Sequence, residues 1–590
     1  MHEQLNRRIS QNRLLASALL AVVTVLVFAG SLANGFVYDD TPQIIQNPFV
    51  TNPHLWSHIF TGSVWSFQGA GTNFYRPLQL ACYWILYRLC GPNPAAFHLL
   101  NLSLYAATAW LVFRLGCELL ADEFVALIGA LAWALHPVHV ESVAWISALP
   151  EVGFGFFTLI AFLLFLRAER DPAKRLKCHA PAVLAFFAAL FFKEMALCFP
   201  ALLLAWWFFL GEPERWSERA RRWSLYVAAA VVYAVVRHAA LGYLSETGHL
   251  NNFSLRVLSA AAGLLGQHTK ILLWPAHLNV FRMFNLGASL RSPWPWITLL
   301  VICGTLWLRK REPRLAFLIV WWPLALLPVL DIRQLSFPQL ADRFQYFPSI
   351  GPCLAFSLLL LEWLPRRLPR ARSPVWAVPA IGTVLVLYSM QTMRAIPRWH
   401  DNETLLGYSL KQSPNAPLLH MARGVVLEYE HGDLDGALKE YETAVSLNRE
   451  SSWPLGLAHD YYLALGRIAL RRGHQQQAIE DFEKVLRVAP NSWQALDALG
   501  AVYFPQRDYA KAAGYFAGSV KANPQDLGAL FYLGTCLMKM GEYQKAVQQF
   551  HAARQIDPDY WQAYQAEAKA LDAAGDQAAA ARVRAQIRQQ

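Results

Sequence analysis

Two adjacent carboxylates, Asp39 and Asp40, stand in Phe36-Val-Tyr-Asp-Asp-Thr41, just past the first long apolar run. Acids placed where a membrane helix gives way to a polar loop are costly to desolvate, so they are candidates for a functional site. Neighbouring carboxylates repel. One of the pair is therefore expected to keep its proton to a higher pH than an isolated Asp, into a range useful for proton transfer. The bland alternative is a helix-end cap, a common post for Asp. Four other short stretches carry groups of the same kind: Tyr75-Arg-Pro-Leu78, His136-Pro-Val-His-Val-Glu141, Lys193-Glu194, and Asp342-Arg343 with Tyr346 shortly after. His136, His139 and Glu141 fall at i, i+3 and i+5 across a proline, which is not a standard zinc spacing. A neutral His that hydrogen-bonds a substrate is the preferred reading, and no metal is expected. Arg76, Lys193 and Arg343 supply cations, the arginines as planar forks and the lysine as a point charge, both suited to phosphate oxygens. Their bland readings are snorkelling for Arg76 and local ion pairs for Lys193–Glu194 and Asp342–Arg343.

Those residues must be positioned by membrane helices. The 590-residue chain is 55% hydrophobic and 16% charged, with 22 Trp, too apolar for a soluble protein and too charged to be all membrane. A net charge of +11 on such a chain is assigned to basic cytoplasmic loops, not to nucleic-acid binding. Eight scattered Cys without paired spacing indicate neither a disulfide framework nor a zinc site. The apolar run 14–34 follows Arg7, Arg8 and Arg13 and is read as an uncleaved helix instead of a signal peptide. Further apolar windows follow at 97–116, 124–140, 151–167, 180–193, 195–210, 223–241, 294–308, 315–331, 345–363 and 374–393. Basic segments at the N-terminus and at 167–177, 215–222, 309–314 and 366–372 all fall on one side if 256–275 does not cross. That stretch holds His268 and Lys270, both placed near a lipid phosphate. About eleven crossings result, N-terminus inside and C-terminus outside, which turns the acid doublet and the other polar stretches outward. The long outer loop 35–96 also carries Trp56, Trp65 and Phe67, read as membrane anchors before sugar- or peptide-stacking rings, and an apolar helical stretch at 78–89 able to lie on the membrane surface.

From Trp399 the composition turns polar, and a period of 34 appears. Gly466, Gly500 and Gly534 keep it, as do Ala478, Ala512 and Ala546, Phe482, Phe516 and Phe550, and Pro490, Pro524 and Pro558. Four residue classes on one period are the tetratricopeptide pattern. An earlier unit runs from Pro414 through Gly424, Ala437 and Tyr441, with an insertion near 448–456. About four to five helix pairs are expected, the last a degenerate cap, in a solenoid that binds a peptide or protein or acts only as a spacer.

The two halves together resemble the transmembrane and tetratricopeptide-repeat-containing O-mannosyltransferases, within the membrane-embedded GT-C glycosyltransferase superfamily. Tyr38-Asp39-Asp40, Tyr75-Arg-Pro-Leu78, His136 to Glu141, Lys193-Glu194 and Asp342-Arg343-Phe-Gln-Tyr346 carry the resemblance, in that order and followed by the repeats. Where the family often shows Glu-Arg-Tyr, this chain has Asp342-Arg343-Phe344. The resemblance implies an all-α chain: a polytopic GT-C-type membrane domain over 1–397 and a repeat solenoid over 398–590. It implies an acidic pair at the catalytic centre, a polyprenyl-phosphate sugar as donor, a protein hydroxyl as acceptor, and no required cofactor. A hydroxyl attacking a sugar carbon needs a base and a stabilised leaving phosphate. Asp39 is expected as base and Asp40 as the acceptor-orienting partner, or the two exchanged. Arg76, Lys193 and Arg343 are expected on the phosphate, and Tyr38, Tyr75, His136, His139, Glu141, Glu194, Asp342 and Tyr346 around the substrate. The setting is a bacterial inner membrane with periplasmic repeats, or the endoplasmic reticulum with lumenal repeats. A lipid or glycan acceptor, and a non-catalytic scaffold whose repeats bind proteins, are the competing readings.

Overall fold

The computed structural model describes residues 2–68, 72–120, 122–171, 175–242, 255–282, 284–330, 340–367, 377–449 and 456–587. Among them there is helix and loop but no strand. A helix lies on each of the eleven apolar windows. Among the described residues five helices are long and apolar enough to cross a bilayer: Arg13–Ala33, Pro94–Leu120, Ile146–Arg170, Trp216–Leu241 and Pro313–Leu330. They mark a multi-pass membrane protein. Glu123–Ala134 and Pro137–Ala144 add a sixth if their bent pair is one span, so among the described residues length and composition alone carry five or six of the eleven expected crossings. Lys177–Phe192, Glu194–Phe209 and Trp294–Leu308 are apolar but shorter. The helix Leu255–Leu273 is not among the candidate spans. Of the expected outer pieces, 243–252 and 331–339 lie outside the described residues. So do 172–174 and 368–372 of the basic segments and 450–455 of the repeat insertion.

Local chemistry explains the breaks that build the site. Asp122 caps Glu123–Ala134 by accepting from the Phe124 and Val125 amides, and the helix stops before Pro137, which has no N–H to continue it. The chain turns by 49° there, setting His136 to Glu141 at the break. A second break falls at Lys193, where an extended residue separates Arg175–Phe192 from the short helix Glu194–Cys198.

The chain divides into two compact units: Met1–Gln46, Phe60–Val64 and Thr72–Pro414 in one, and Asn47–Ile59, Trp65–Gly71 and Asn415–Gln590 in the other. Residues 398–414, placed with the repeats by the sequence boundary, belong to the first unit. The physical reason is that Trp399 stacks on Trp145 at 5.8 Å and Asn402 accepts from the Tyr38 amide. In the second unit five helix pairs follow one another from Pro417–Val426 to Gln577–Ile587. Each periodic glycine is filled by the periodic aromatic of its own pair: a Cβ on Gly500 would lie 2.8 Å from the Phe516 ring, and one on Gly534 2.7 Å from Phe550. Ala478, Ala512 and Ala546 are fully buried between the helices. Two pieces of the first loop belong to this unit: Asn52 donates to Asp557 at 2.8 Å, and His58 meets the Gln525 amide at 3.1 Å. The aromatics Trp65 and Phe67 stack on each other at 6.1 Å in the same unit.

Candidate functional site

The acid doublet sits on a strained turn. Tyr38 has a φ of 52°, unusual for a bulky residue and the kind of outlier that surrounding structure must hold in place. The Tyr38 amide donates to Asn402 Oδ1 at 2.7 Å, and its ring packs against Trp145 and Phe281. Asp40 closes the turn. Its Oδ2 accepts from the Val37 amide at 3.0 Å and its Oδ1 from the Ser147 amide at 2.7 Å. The segment around Ser147 is fixed in turn by Asn101, which donates to the Trp145 carbonyl, and by Tyr83, which donates to the Ile146 carbonyl. Asp40 is fully buried with both oxygens engaged. Burial pushes its carboxyl up to about 7, against the pull of those amides.

Asp39 differs. It is half-buried, and no hydrogen bond to its carboxylate is formed among the described residues. Burial pushes it up to about 7, while the positive charges of Arg343 and Arg76 pull the other way. The two neighbours thus split into one locked carboxylate and one open carboxylate facing two arginines.

Each expected cation is paired. Arg76 donates to Glu194 at 2.9 Å and stacks over Phe74. Lys193, buried, pairs with Glu151 and lies 5.1 Å above the Phe344 ring. Arg343 binds Glu141 through its side chain and, at 2.8 Å, through its backbone amide, and its guanidinium lies 5.3 Å over Trp145. Its Nε is 3.8 Å from Glu151. The three cations are thus paired with Glu194, Glu151 and Glu141, and two of them, Arg343 and Arg76, act on Asp39, which has no such partner among the described residues. The cations are not exhausted: a guanidinium has five N–H donors, and Arg76 Nε is buried with no partner among the described residues.

The other expected residues lie elsewhere in the packing. His136 Nδ1 accepts from the Val138 amide and its Nε2 meets the Leu272 carbonyl at 3.1 Å. His139 is fully buried between the Tyr105 hydroxyl and Ser349 Oγ at 3.0 and 2.9 Å. Neither histidine keeps a nitrogen for a substrate, and among the described residues no group of three His, Cys, Asp or Glu is arranged to hold a metal. Tyr75 donates to the Phe60 carbonyl, and Tyr346 is buried against Gly155 and donated to by Trp133 Nε1 at its backbone carbonyl. Asp342 accepts from Arg282 at 2.7 Å and from the Asn279 amide, so its partner is not the adjacent Arg343. His268 is fully buried against Gln345.

Sequence reading missed Glu151, Arg282, Trp145 and Ser147. Glu151 left a signal, being the one acid in the apolar run from Leu149 to Leu166. The other three are recruited across long sequence separations and carry no local mark.

Tetratricopeptide-repeat family models match residues 463–526 and 503–570. "Protein O-mannosyl-transferase F38B6.6" of Caenorhabditis elegans is 24% identical over 449 residues, 73% of this chain and 62% of that protein. "Protein O-mannosyl-transferase TMTC3" of Mus musculus is 23% identical over 560 residues, 92% of this chain and 54% of that protein. The chain spans less than two thirds of the length of these relatives. A crystal structure of MamA is 23% identical, covering 29% of this chain and 89% of that one, with a TM-score of 0.25. With membrane helices followed by a run of tetratricopeptide repeats, the chain is similar over most of its length to these O-mannosyl-transferases.

Proposed function

We propose that the chain is an integral-membrane glycosyltransferase that moves a hexose, mannose in the first instance, from a polyprenyl-phosphate carrier to a Ser or Thr hydroxyl of a protein on the non-cytoplasmic face. The observation that carries this reading is the Asp39 carboxylate, which accepts no hydrogen bond among the described residues and lies within the field of Arg343 and Arg76, while Asp40 is locked. The names of the relatives support the transferase class and the hydroxyl acceptor.

In this reading Asp39 takes the proton of the acceptor hydroxyl as its oxygen bonds to the anomeric carbon. The bond from that carbon to the phosphate oxygen breaks, and the electron pair leaves with the phosphate. The unspent N–H groups of Arg76, Lys193 and Arg343 stabilise the departing charge, and their glutamate partners hold them in place before the donor arrives. Asp40 acts through the turn: by gripping Val37 and Ser147 it fixes the backbone that presents Asp39. No cofactor is needed for this displacement. The membrane part is read as GT-C-type with about eleven crossings, in which the shorter apolar helices also span, and with 1–397 as transferase domain. The repeats of 398–590, less the 398–414 segment that packs with the first unit, are read as binding the acceptor polypeptide.

Asp39→Asn tests the reading. It should abolish sugar transfer in membranes without lowering expression or weakening the capture of proteins by the repeats. Unchanged transfer would remove Asp39 from the chemistry.

A further inference from the structure

The helix Trp294–Leu308 of the first unit is built inside out. Its buried positions are Pro295, Thr298 and Thr305, and both threonine hydroxyls donate to carbonyls of their own helix, Trp294 at 2.8 Å and Val301 at 2.6 Å. Its most exposed positions are apolar: Leu300 is 73% exposed and Trp307 75%. Water penalises that arrangement and hydrocarbon does not. The 15 residues rise about 22 Å, short of the roughly 30 Å of a bilayer's hydrocarbon core. A helix that short draws headgroups toward its end, or leaves its terminal charges inside the apolar layer.

Those terminal charges are Arg309, Lys310 and Arg311, all exposed. None has an ion pair or a side-chain hydrogen bond among the described residues. Glu312, next in the chain, is taken by Arg367 at 3.1 Å. Glu212 is the nearest acid in sequence to Phe208 and pairs with none of the three, so the cations are in surplus. Two of them are held by rings instead. Arg309 lies 5.4 Å over Phe208, and Arg311 lies 5.6 Å over Trp307. A cation–π contact orients a guanidinium without neutralising it. Phe208 belongs to Glu194–Phe209, another short apolar helix, so the ends of two such helices meet here.

Beside the cations the apolar surface is grooved. Gly304 falls between Leu300 and Trp307 on the outer face, at i+4 and i−3, and a Cβ there would meet nothing within 4 Å. Leu204 and Phe208, both exposed and at i, i+4, make a second apolar strip on the neighbouring helix. Two planar cations without acids, next to an apolar groove at a helix end, match a phosphate that carries acyl chains. The cation surplus favours a net-negative headgroup over a zwitterionic one. The sugar carrier is a poor match, because Lys193, one of the cations expected on its phosphate, stands at the opposite end of Glu194–Phe209.

We propose that the ends of Trp294–Leu308 and Glu194–Phe209 form a binding site for one anionic phospholipid, its phosphate on Arg309 and Arg311 and an acyl chain in the groove at Gly304. The inference goes beyond the transferase reading: it needs these short helices in the bilayer and uses no residue around the acid doublet.

The test is native mass spectrometry of the full chain in detergent micelles, offered phosphatidylglycerol and phosphatidylcholine of the same chain length together. The wild type should retain one phosphatidylglycerol about tenfold more often than one phosphatidylcholine, the scale of one charge-assisted contact. Arg309→Gln combined with Arg311→Gln should level the two lipids. Gly304→Leu keeps every charge and fills the groove, and should weaken retention of phosphatidylglycerol. Arg366→Gln removes an exposed arginine already paired with Glu362 and should change nothing. Glycerol 3-phosphate, a headgroup phosphate without chains, should not displace the bound lipid. Equal retention of the two lipids by the wild type would overturn the proposal and needs no variant. So would a loss from Arg366→Gln as large as from the double variant, the mark of diffuse charge alone. Indifference to Gly304→Leu, displacement by glycerol 3-phosphate, or retention of undecaprenyl phosphate in preference to phosphatidylglycerol would each do the same. Sugar transfer enters none of these readouts, so this inference and the transferase reading fail separately.

Discussion

At the scale of single residues, the doublet divides its labour, and the two halves should fail differently. Asp39→Asn removes the proton acceptor while no hydrogen bond among the described residues is lost. Transfer should fall by about 10²–10⁴-fold with an unchanged unfolding temperature. Asp40→Ala strips the Val37 and Ser147 amides of their acceptors inside the protein, at about 1–3 kcal/mol each, and should lower the unfolding temperature measurably. A lower unfolding temperature for Asp39→Asn, or none for Asp40→Ala, would reverse these roles. Burial holds Asp39 near 7, so the base is ionised only above that value. The wild-type rate should therefore rise with pH through about 7 and level off above it, and a rate flat from pH 5 to 9 would exclude a base of this kind. The doublet itself was legible because two acids beside an apolar run are conspicuous. The division between them was not, because it depends on Ser147 and Arg343, more than a hundred residues away. His136 and His139 misled for the same reason: their partners Leu272, Tyr105 and Ser349 come from other helices, and only the fold shows that their nitrogens are already used.

At the scale of elements, periodicity was the dependable guide. The 34-residue step located the repeat helices because each pair needs a glycine where the next helix's aromatic enters, a requirement written into the sequence itself. Gly500→Ala would put a Cβ 2.8 Å from Phe516, and overpacking of this kind costs about 1–3 kcal/mol. Amide hydrogen exchange in Tyr509–Ala522 of the full chain should quicken accordingly. Gly514→Ala, in the same helix with nothing within 4 Å, should slow it, since alanine favours helix by up to about 1 kcal/mol. Equal effects from the two would refute the packing explanation. A helix lies on each apolar window, but hydropathy does not say which short helices cross. Nor did it show that 398–414 packs with the membrane unit, since that depends on Trp399 finding Trp145 and Asn402 finding the Tyr38 backbone.

At the scale of the whole molecule, the proposal requires the doublet and the repeats to share the non-cytoplasmic side. A reporter fused after Gln590 should register outside the cytoplasm, and a cytoplasmic signal would break the topology. Removing 415–590 should cripple transfer to protein. If transfer survives that deletion undiminished, the repeats do not deliver the acceptor.

The most direct measurement is the intact mass of membrane and secreted glycoproteins from cells lacking this chain, complemented with wild type or with Asp39→Asn. Wild type should restore a mass increment of one hexose on Ser or Thr of specific proteins, and Asp39→Asn at equal expression should not. Identical glycoprotein masses with both, or an increment appearing only on lipid, would contradict a protein transferase built on Asp39.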